Sequence, residues 1–539
     1  MLPPGLSTPR EVVLYQDELY FSRIDSGKAH PFIYPWAAIG AVVVILYLLI
    51  DHRQSVTLRW LRYPVFALLV AFQAWCTQTN RARNSAAAFG VGLISCWGCL
   101  WVASIMIFND CQADFKRIER LSDGETESQS KPATDGTANG SAHASSDLRQ
   151  RRSLATSAES SSTKGPAQRH GKLFWQSYPT APMTERLDWV ADVFCSFRGV
   201  GWTWQTSGIP PPPRWVEAQL DGKDDIQEVA EPIRTSNTGI RRYGDRSRLV
   251  RDAAISLVIG YITLDVAKTI MNRDPYFWGY VDAPAPTYLP AILRHSYTLT
   301  HLYRLLVSLS AIYTALWTIF KLGPAFFCGV LGPKWLGVRG EAWQNPLDMY
   351  GSFSLVLDKG LAGWWGGWWH QTFRFAFEVP ATRLMGALGV DKRSPTGKAL
   401  SLFVAFFLSG CIHACGSYTQ LGDTRPILGP MRFFLLQGVG ILAQTLLVQL
   451  LAKAGITTKC PKTLCQLTNL VVVHVWLYYT APLLVDDFAR GGVWLYEPIP
   501  FSPLRGLGFG APDDHFFCWW YQRVWWRTGK HWWDTGISL

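Results

Sequence analysis

The chain has 539 residues, 48% of them hydrophobic and 14% aromatic, with only 17% charged. A mean hydropathy of +0.06 despite a long polar insert excludes an ordinary soluble domain and points to a membrane protein. The net charge of +11 is scattered through loops and the tail rather than gathered in a nucleic-acid stripe, and 11 cysteines, an odd count, argue against a disulfide framework.

Residues 1–110 hold N-terminal transmembrane helices. The first apolar run, 32–50, follows a segment of mixed charge and has no small-residue cleavage pattern after it, so no cleaved signal peptide is expected. Runs able to cross a hydrocarbon core of roughly 30 Å recur at 63–77, 87–108, 251–271, 303–320, 399–416, 432–451 and 466–485. The fold class expected is therefore all-α, a polytopic integral membrane protein with about eight transmembrane helices and one disordered polar insert. That insert, 111–186, carries stretches such as "DGTANGSAHASSD" that cannot bury enough apolar area to fold. Residues 187–250 contain "SFRGVGWTW" and "IPPPPRW", a glycine-permitted turn and a polyproline rod, and are read as a membrane-surface segment. The working core is 251–510, in which the patch at 322–332, with its Gly-Pro, is read as re-entrant or interfacial. The tail, 511–539, with "FFCWWYQRVWWRTGKHWW", has the composition of an aromatic interfacial anchor.

Basic residues orient the spans. With the N-terminus in the lumen, Arg53, Arg59 and Arg62 after the first span and Lys453, Lys459 and Lys462 before the last are cytosolic. The segment 321–398 falls on the same side. It contains "GWWGGWWHQTFR", where Trp364, Trp365, Trp368 and Trp369 surround two glycines and are followed by His370, Gln371 and Arg374. These tryptophans are expected to hold a loop at the membrane surface.

Ionisable residues inside spans are costly and mark function by default. They are Asp265, His413 and His474, with Arg304 near an edge. His413 lies in "FFLSGCIHACGSY", where Ser409, Gly410, Ala414 and Gly416 permit close approach of a helix or a slender substrate. Cys411 and Cys415 share one helix face while His413 points away from it, so these three cannot converge on one ion. No metal site is expected. No phosphate-cradling glycine loop and no serine nucleophile elbow occurs either.

The run "WWGGWWHQTFR" resembles the Phe-Trp-Gly-Arg-Arg-Trp-His-Gln signature of the wax synthase-like branch of the membrane-bound O-acyltransferase superfamily. Trp365, Gly366, Trp369, His370 and Gln371 match; Trp364 replaces the phenylalanine. The likeness continues in "SFRGVGW", "YITLDVAKTIMNRDPYF", Ser409 to His413 and "EPIPFSPLRGLGFG", and covers most of 187–510. Gly367 and Trp368 depart from it, standing at the two arginine positions, with Arg374 and Arg383 as nearby replacements.

The resemblance implies transfer of an acyl group from acyl-coenzyme A, acetyl-coenzyme A being the co-substrate expected, to a hydroxyl. No bound cofactor is implied. Catalytic roles carry over to His413 as base and His370 as its assistant, with Gln371, Trp365, Trp369, Arg374, Ser409 and Asp265 as substrate-binding candidates. Fungal members acetylate terpenoid and meroterpenoid alcohols in secondary metabolism, so the partners expected are the lipid bilayer, that of the endoplasmic reticulum, and a small hydrophobic alcohol, with no nucleic acid. Three other readings compete: a wax ester synthase using long-chain acyl-coenzyme A, a secondary transporter, and a haem redox protein with His413 and His474 as axial ligands.

One consequence of the orientation is direct. Asn139, Gly140 and Ser141 form a glycosylation acceptor inside the insert, which the basic bias assigns to the cytosol. Asn139 is expected to stay unmodified in microsomes; a mobility shift removed by glycosidase and by Asn139→Gln reverses the orientation.

Overall fold

The computed structural model describes residues 3–121, 171–223, 233–520 and 524–539. Among the described residues, five helical stretches are long and apolar enough to cross a membrane: Ser85–Ile107, Arg246–Met271, Tyr297–Gly340, Pro395–Tyr418 and Ile427–Lys453. A sixth is obtained if Lys462–Thr480 and Pro482–Gly491, bent by 42° at their junction, form one span. Pro482 lacks the N–H that would continue the ladder, which accounts for the bend. The two remaining expected spans are shorter or more polar. Trp36–Leu49 is a short apolar helix, and Arg62–Thr79 includes Arg62, Gln73 and Gln78.

Four of the five long helices begin where the sequence provides a side-chain cap, Ile427–Lys453 being the exception. Asn84 accepts from the N–H groups of Ala86 and Ala87, Asp245 from Arg248, Ser296 from Leu299 and Ser394 from Gly397. The Gly-Pro patch does not leave the helix: residues Ala325–Leu331 continue it as a wider, π-type turn.

The connections gather into two groups, as alternating crossings require. In one, Arg83 pairs with Asp17, Arg23 donates to the Leu421 carbonyl at 3.0 Å, and Tyr280 donates to Pro3 O at 2.7 Å. The tail also belongs here. Strands Trp525–Arg527 and Gly536–Ser538 pair with each other, and the second pairs with Ile33–Tyr34. The tail is thus sheet folded onto the N-terminal segment, although Trp526 and Trp532 keep exposed faces. In the other group, Gln112 donates to the carbonyls of Leu48 and Ile50, and Asn469 donates to Leu357 O.

The flanks of the polar insert are ordered, contrary to the limits set at 111 and 186. Strand Arg117–Arg120 pairs with Leu173–Gln176, and helix Met183–Cys195 packs beside them. Buried Arg117 ties the two flanks by pairing with Asp188 at 2.6 Å and Asp192 at 3.2 Å. This is a long-range ion pair that local composition cannot register. Asn139 lies outside the described residues. All 11 cysteines are free thiols.

Arg304, an intramembrane candidate by position, is structural. It makes a two-pronged bond to fully buried Asp274, 2.9 Å on each side, and donates to the carbonyls of Ala283 and Pro284 at 3.0 Å. Breaking such a pair leaves a charge buried alone, at a cost of about 3–5 kcal/mol. Arg304→Met is therefore expected to lower the thermal midpoint of the detergent-solubilised chain sharply, and adding Asp274→Asn to recover most of the loss. Independent, additive losses in the double variant would show that the pair does not act as a unit.

Candidate active site

The tryptophan stretch is not a surface anchor. Trp364 and Trp368 are buried in one apolar cluster with Val356, Leu361, Phe406, Phe433 and Phe434, residues of the surrounding helices. Trp365 meets Phe406, Phe433 and Phe434 edge-on at 5.7–6.1 Å. Since Phe433 and Phe434 open the helix Arg432–Lys453 at the end opposite Lys453, the segment dips in from the Lys453 side and reaches far between the helices.

Its backbone allows this. The Trp369 N–H donates to Trp364 O at 2.7 Å, closing a π-type turn, after which the chain turns extended. Gly363 is required by close approach: a Cβ there would lie 1.8 Å from the Leu355 carbonyl. The turn's carbonyls find an internal partner in the Gln371 amide, which donates to Trp365 O at 3.0 Å and Trp369 O at 2.6 Å. Gln371 accepts in turn from Arg374 at 3.2 Å, and Arg374 pairs with Glu378 at 2.6 Å. Gln371 therefore staples the loop.

The turn delivers His370 toward His413. A chain of ring contacts links them: His413 to Phe434 at 4.3 Å, Phe434 to Trp365 at 6.0 Å, Trp365 to Trp369 at 5.8 Å, Trp369 to His370 at 5.5 Å. His370 lies within electrostatic reach of His413 and of Arg198. Its Nδ1 is buried with no hydrogen-bond partner among the described residues.

His413 Nδ1 lies 2.8 Å from the Ser409 carbonyl, one turn back on its helix. A carbonyl only accepts, so Nδ1 carries the hydrogen and Nε2 of the neutral ring holds the free lone pair. Ser409 thus contributes through its backbone, orienting the ring. Cys411 and Cys415, on one helix face, turn toward Cys96 of the helix Ser85–Val102. Among the described residues no group of three metal-ligating side chains converges.

Asp265 is not brought to the histidines. Its carboxylate accepts from the Ser502 hydroxyl and from the Leu504 N–H at 3.1 Å, fixing the Pro-rich stretch after the last span. Beside it Arg505 pairs with Glu497 through two 2.8 Å bonds, and Lys268 lies 3.7 Å from the same carboxylate. His474 is exposed on its helix, its Nδ1 on the Leu470 carbonyl at 2.7 Å. Arg383 is committed to Phe108 O and Asn109.

Two polar residues near the histidines have no counterpart among the expected ones. Arg198, of "SFRGVGW", is half-buried and donates to the carbonyls of Asp348 at 3.1 Å and Pro346 at 3.4 Å; loss of solvent around the guanidinium pushes its pKa down to about 10. Gln437, fully buried, accepts from the Trp365 indole at 3.3 Å and donates to Phe433 O and Thr480. Counting neutral amides as well as ionisable groups within spans finds Gln437.

Residues 346–436, which include both His370 and His413, match the family "Membrane bound O-acyl transferase". The chain is 25% identical over 277 residues to the O-Mevalon transferase yanI of Aspergillus niger, which covers 49% of the chain and 53% of that protein. It is 23% identical over 348 residues to the acetyltransferase eriL of Hericium erinaceus, 62% of the chain and 76% of that protein. With the O-Mevalon transferase macI of Penicillium terrestre it shares 25% identity over 280 residues, 48% and 53% of the two chains. The chain thus spans about half the length of the two O-Mevalon transferases. No solved structure matches it.

The turn geometry separates two neighbouring glycines. Gly363→Ala drives a methyl into the Leu355 carbonyl, whereas a Cβ at Gly366 meets nothing within 4 Å. Thermal denaturation should register a loss of about 1–3 kcal/mol or more for Gly363→Ala and under about 0.5 kcal/mol for Gly366→Ala. Equal effects would mean the re-entrant turn is drawn wrongly.

Proposed function

We propose that the chain is an O-acyltransferase of the endoplasmic reticulum membrane. It moves an acyl group, acetyl in this reading, from acyl-coenzyme A to a hydroxyl of an apolar terpenoid- or meroterpenoid-like molecule in secondary metabolism. The observation that carries this is the His413 imidazole, whose Nδ1 is engaged by the Ser409 carbonyl so that Nε2 keeps its lone pair, within electrostatic reach of His370 on the re-entrant turn. The match over 346–436 and the names of the relatives support the reaction class.

The reaction proceeds by direct attack. Nε2 of His413 takes the proton of the acceptor hydroxyl as its oxygen forms a bond to the thioester carbonyl carbon. Charge develops on the carbonyl oxygen. The His370 imidazole, with an orphaned nitrogen, is the donor available to it, and in a water-poor site such a bond is worth more than in solution. The tetrahedral adduct collapses by breaking the carbon–sulfur bond. The coenzyme A thiolate leaves and recovers the proton from His413, so ester and thiol are the products and the enzyme is unchanged.

Entry routes follow from the helices. Arg374 and Glu378, partly exposed, line the helix Arg374–Ala387 between His370 and the side where Arg383 meets Phe108. A charged pair in that position is tolerated where water reaches it, which suits the approach of a polar pantetheine arm from the cytosol. His413 stands about 27 Å along its helix from Pro395 by residue rise, so the hydroxyl partner has a shorter path from the opposite side or from lipid.

The two histidines have separable roles, which initial rates at matched expression can test. An asparagine amide donates a hydrogen bond but takes no proton near neutral pH. His370→Asn is expected to retain measurable transfer and His370→Ala much less. His413→Ala and His413→Asn should both fall by roughly 100 to 10,000-fold. Activity surviving in His413→Asn, with complete loss in both His370 variants, reverses the roles.

A further inference from the structure

The helix of His413 carries a second polar residue one turn further on, and another lies just past its end. Ser417 follows His413 by four residues, about 40° around the helix and roughly 6 Å along its axis, and Gln420 stands two residues beyond the helix end at Tyr418. Ser417 is fully buried and Gln420 is 3% exposed. Asp487, also 3% exposed, faces them from the helix Pro482–Gly491.

These side chains are underused. Asp487 Oδ1 accepts from the Arg425 N–H at 2.6 Å, but its Oδ2 has no partner among the described residues. The Ser417 hydroxyl lies beside that carboxylate, offset from hydrogen-bond geometry. The Gln420 amide leaves both Oε1 and Nε2 unbonded while pressed against Gly491, where a Cβ would fall 2.2 Å from it. The surroundings connect this cluster to the reaction centre: the Phe89 ring is 6.4 Å from His413 and 5.1 Å from Phe488, the residue after Asp487.

Buried polar atoms without partners are uncommon because each costs stability. Here four gather where the end of the His413 helix meets Pro482–Gly491. Their chemistry is selective. A carboxylate oxygen disfavours an anionic guest, and the amide hydrogens of Gln420 disfavour a cationic one. A hydroxyl fits, since it donates once and accepts twice.

We propose that Ser417, Gln420 and Asp487 form a subsite for a second hydroxyl of the acceptor, making the preferred substrate an apolar, rigid diol rather than a simple long-chain alcohol. That hydroxyl donates to Asp487 Oδ2 and accepts from Gln420 Nε2, at least one helical turn, about 6 Å, from the hydroxyl presented to His413. The identity of the guest as an acyl acceptor rests on the acyl-transfer reading; its diol chemistry rests on the cluster alone.

The test uses the full chain in detergent, with androstanediol against the mono-alcohol androstanol. Thermal denaturation is expected to show greater stabilisation by the diol. Gln420→Met removes that difference and raises the midpoint of the ligand-free protein, because an apolar side chain of similar length replaces an unpaired amide; a purely structural glutamine would lower it. With acetyl-coenzyme A present, the ratio of kcat/KM for diol over mono-alcohol falls about tenfold in the variant. Ser417→Ala, a smaller change, is expected to narrow the same preference and serves if Gln420→Met does not fold. Equal stabilisation by the two alcohols, stabilisation by neither, or a lowered ligand-free midpoint in Gln420→Met overturns the subsite. Diol-selective stabilisation without acyl transfer keeps the subsite and overturns the acyl-transfer reading instead.

Discussion

A non-helical backbone can be held between membrane helices only if its peptide groups find partners inside the protein. The Gln371 amide meets that demand for Trp365 and Trp369. Its hydrogen bonds permit the chain to leave helical winding at Trp369 and carry His370 into reach of His413. The neighbouring Gly363 lets the turn press against the Leu355 carbonyl, and the indoles fill the volume between helices that a polar loop would leave wet. Removal of the staple would strand two carbonyls in an apolar setting, so the position of His370 depends on a residue whose own side chain does no chemistry.

The rest of the fold keeps the helices fixed around this turn. On one side, Arg117 draws the two ordered flanks of the insert together, and Arg198 clamps the 346–348 strand of chain through its carbonyls just ahead of the turn. On the other, Arg304 with Asp274 and Arg505 with Glu497 close the loops after the spans. Buried pairs of this kind give little net stability over an apolar alternative, but they admit one register only. Specific placement is what a two-histidine site needs.

Much of this was legible in the sequence. Apolar run length located four of the five long helices to within about five residues at each end, because hydrocarbon thickness imposes its own measure, while Tyr297–Gly340 continues well past the apolar run that marks it. His413 and His370 stood out by chemical type and by motif. What escaped was whatever depends on contact between distant segments. The aromatic composition of 511–539 suits a headgroup belt, yet Gly536–Ser538 finds a strand partner in Ile33–Tyr34. Asp265 has the signature of a working intramembrane acid, yet Ser502 and Leu504 claim its oxygens. The tryptophans have the composition of a surface anchor because indoles favour interfaces, whereas Gly363, Gly367 and a following amide permit a deeper course. A carboxylate's role is set by its partner, and partners over 200 residues away leave no local trace.

The same logic explains the departure at Gly367 and Trp368 from the signature that the stretch otherwise resembles. The Trp368 ring stacks on Tyr313 at 5.6 Å and meets Phe353 and Trp364 edge-on, all uncharged side chains. At Gly367 even a Cβ would come within 2.6 Å of Leu355. Arginines at these two positions would be buried without counter-charge, which is far costlier than leaving them out. Positive charge is supplied from outside the turn instead, by Arg198 bound to the segment ahead of it and by Arg374 at its exit. The turn is then free to be wholly apolar between its glycines, and the polarity of the site resides in two imidazoles, one stapling amide and the hydroxyl-binding face below His413.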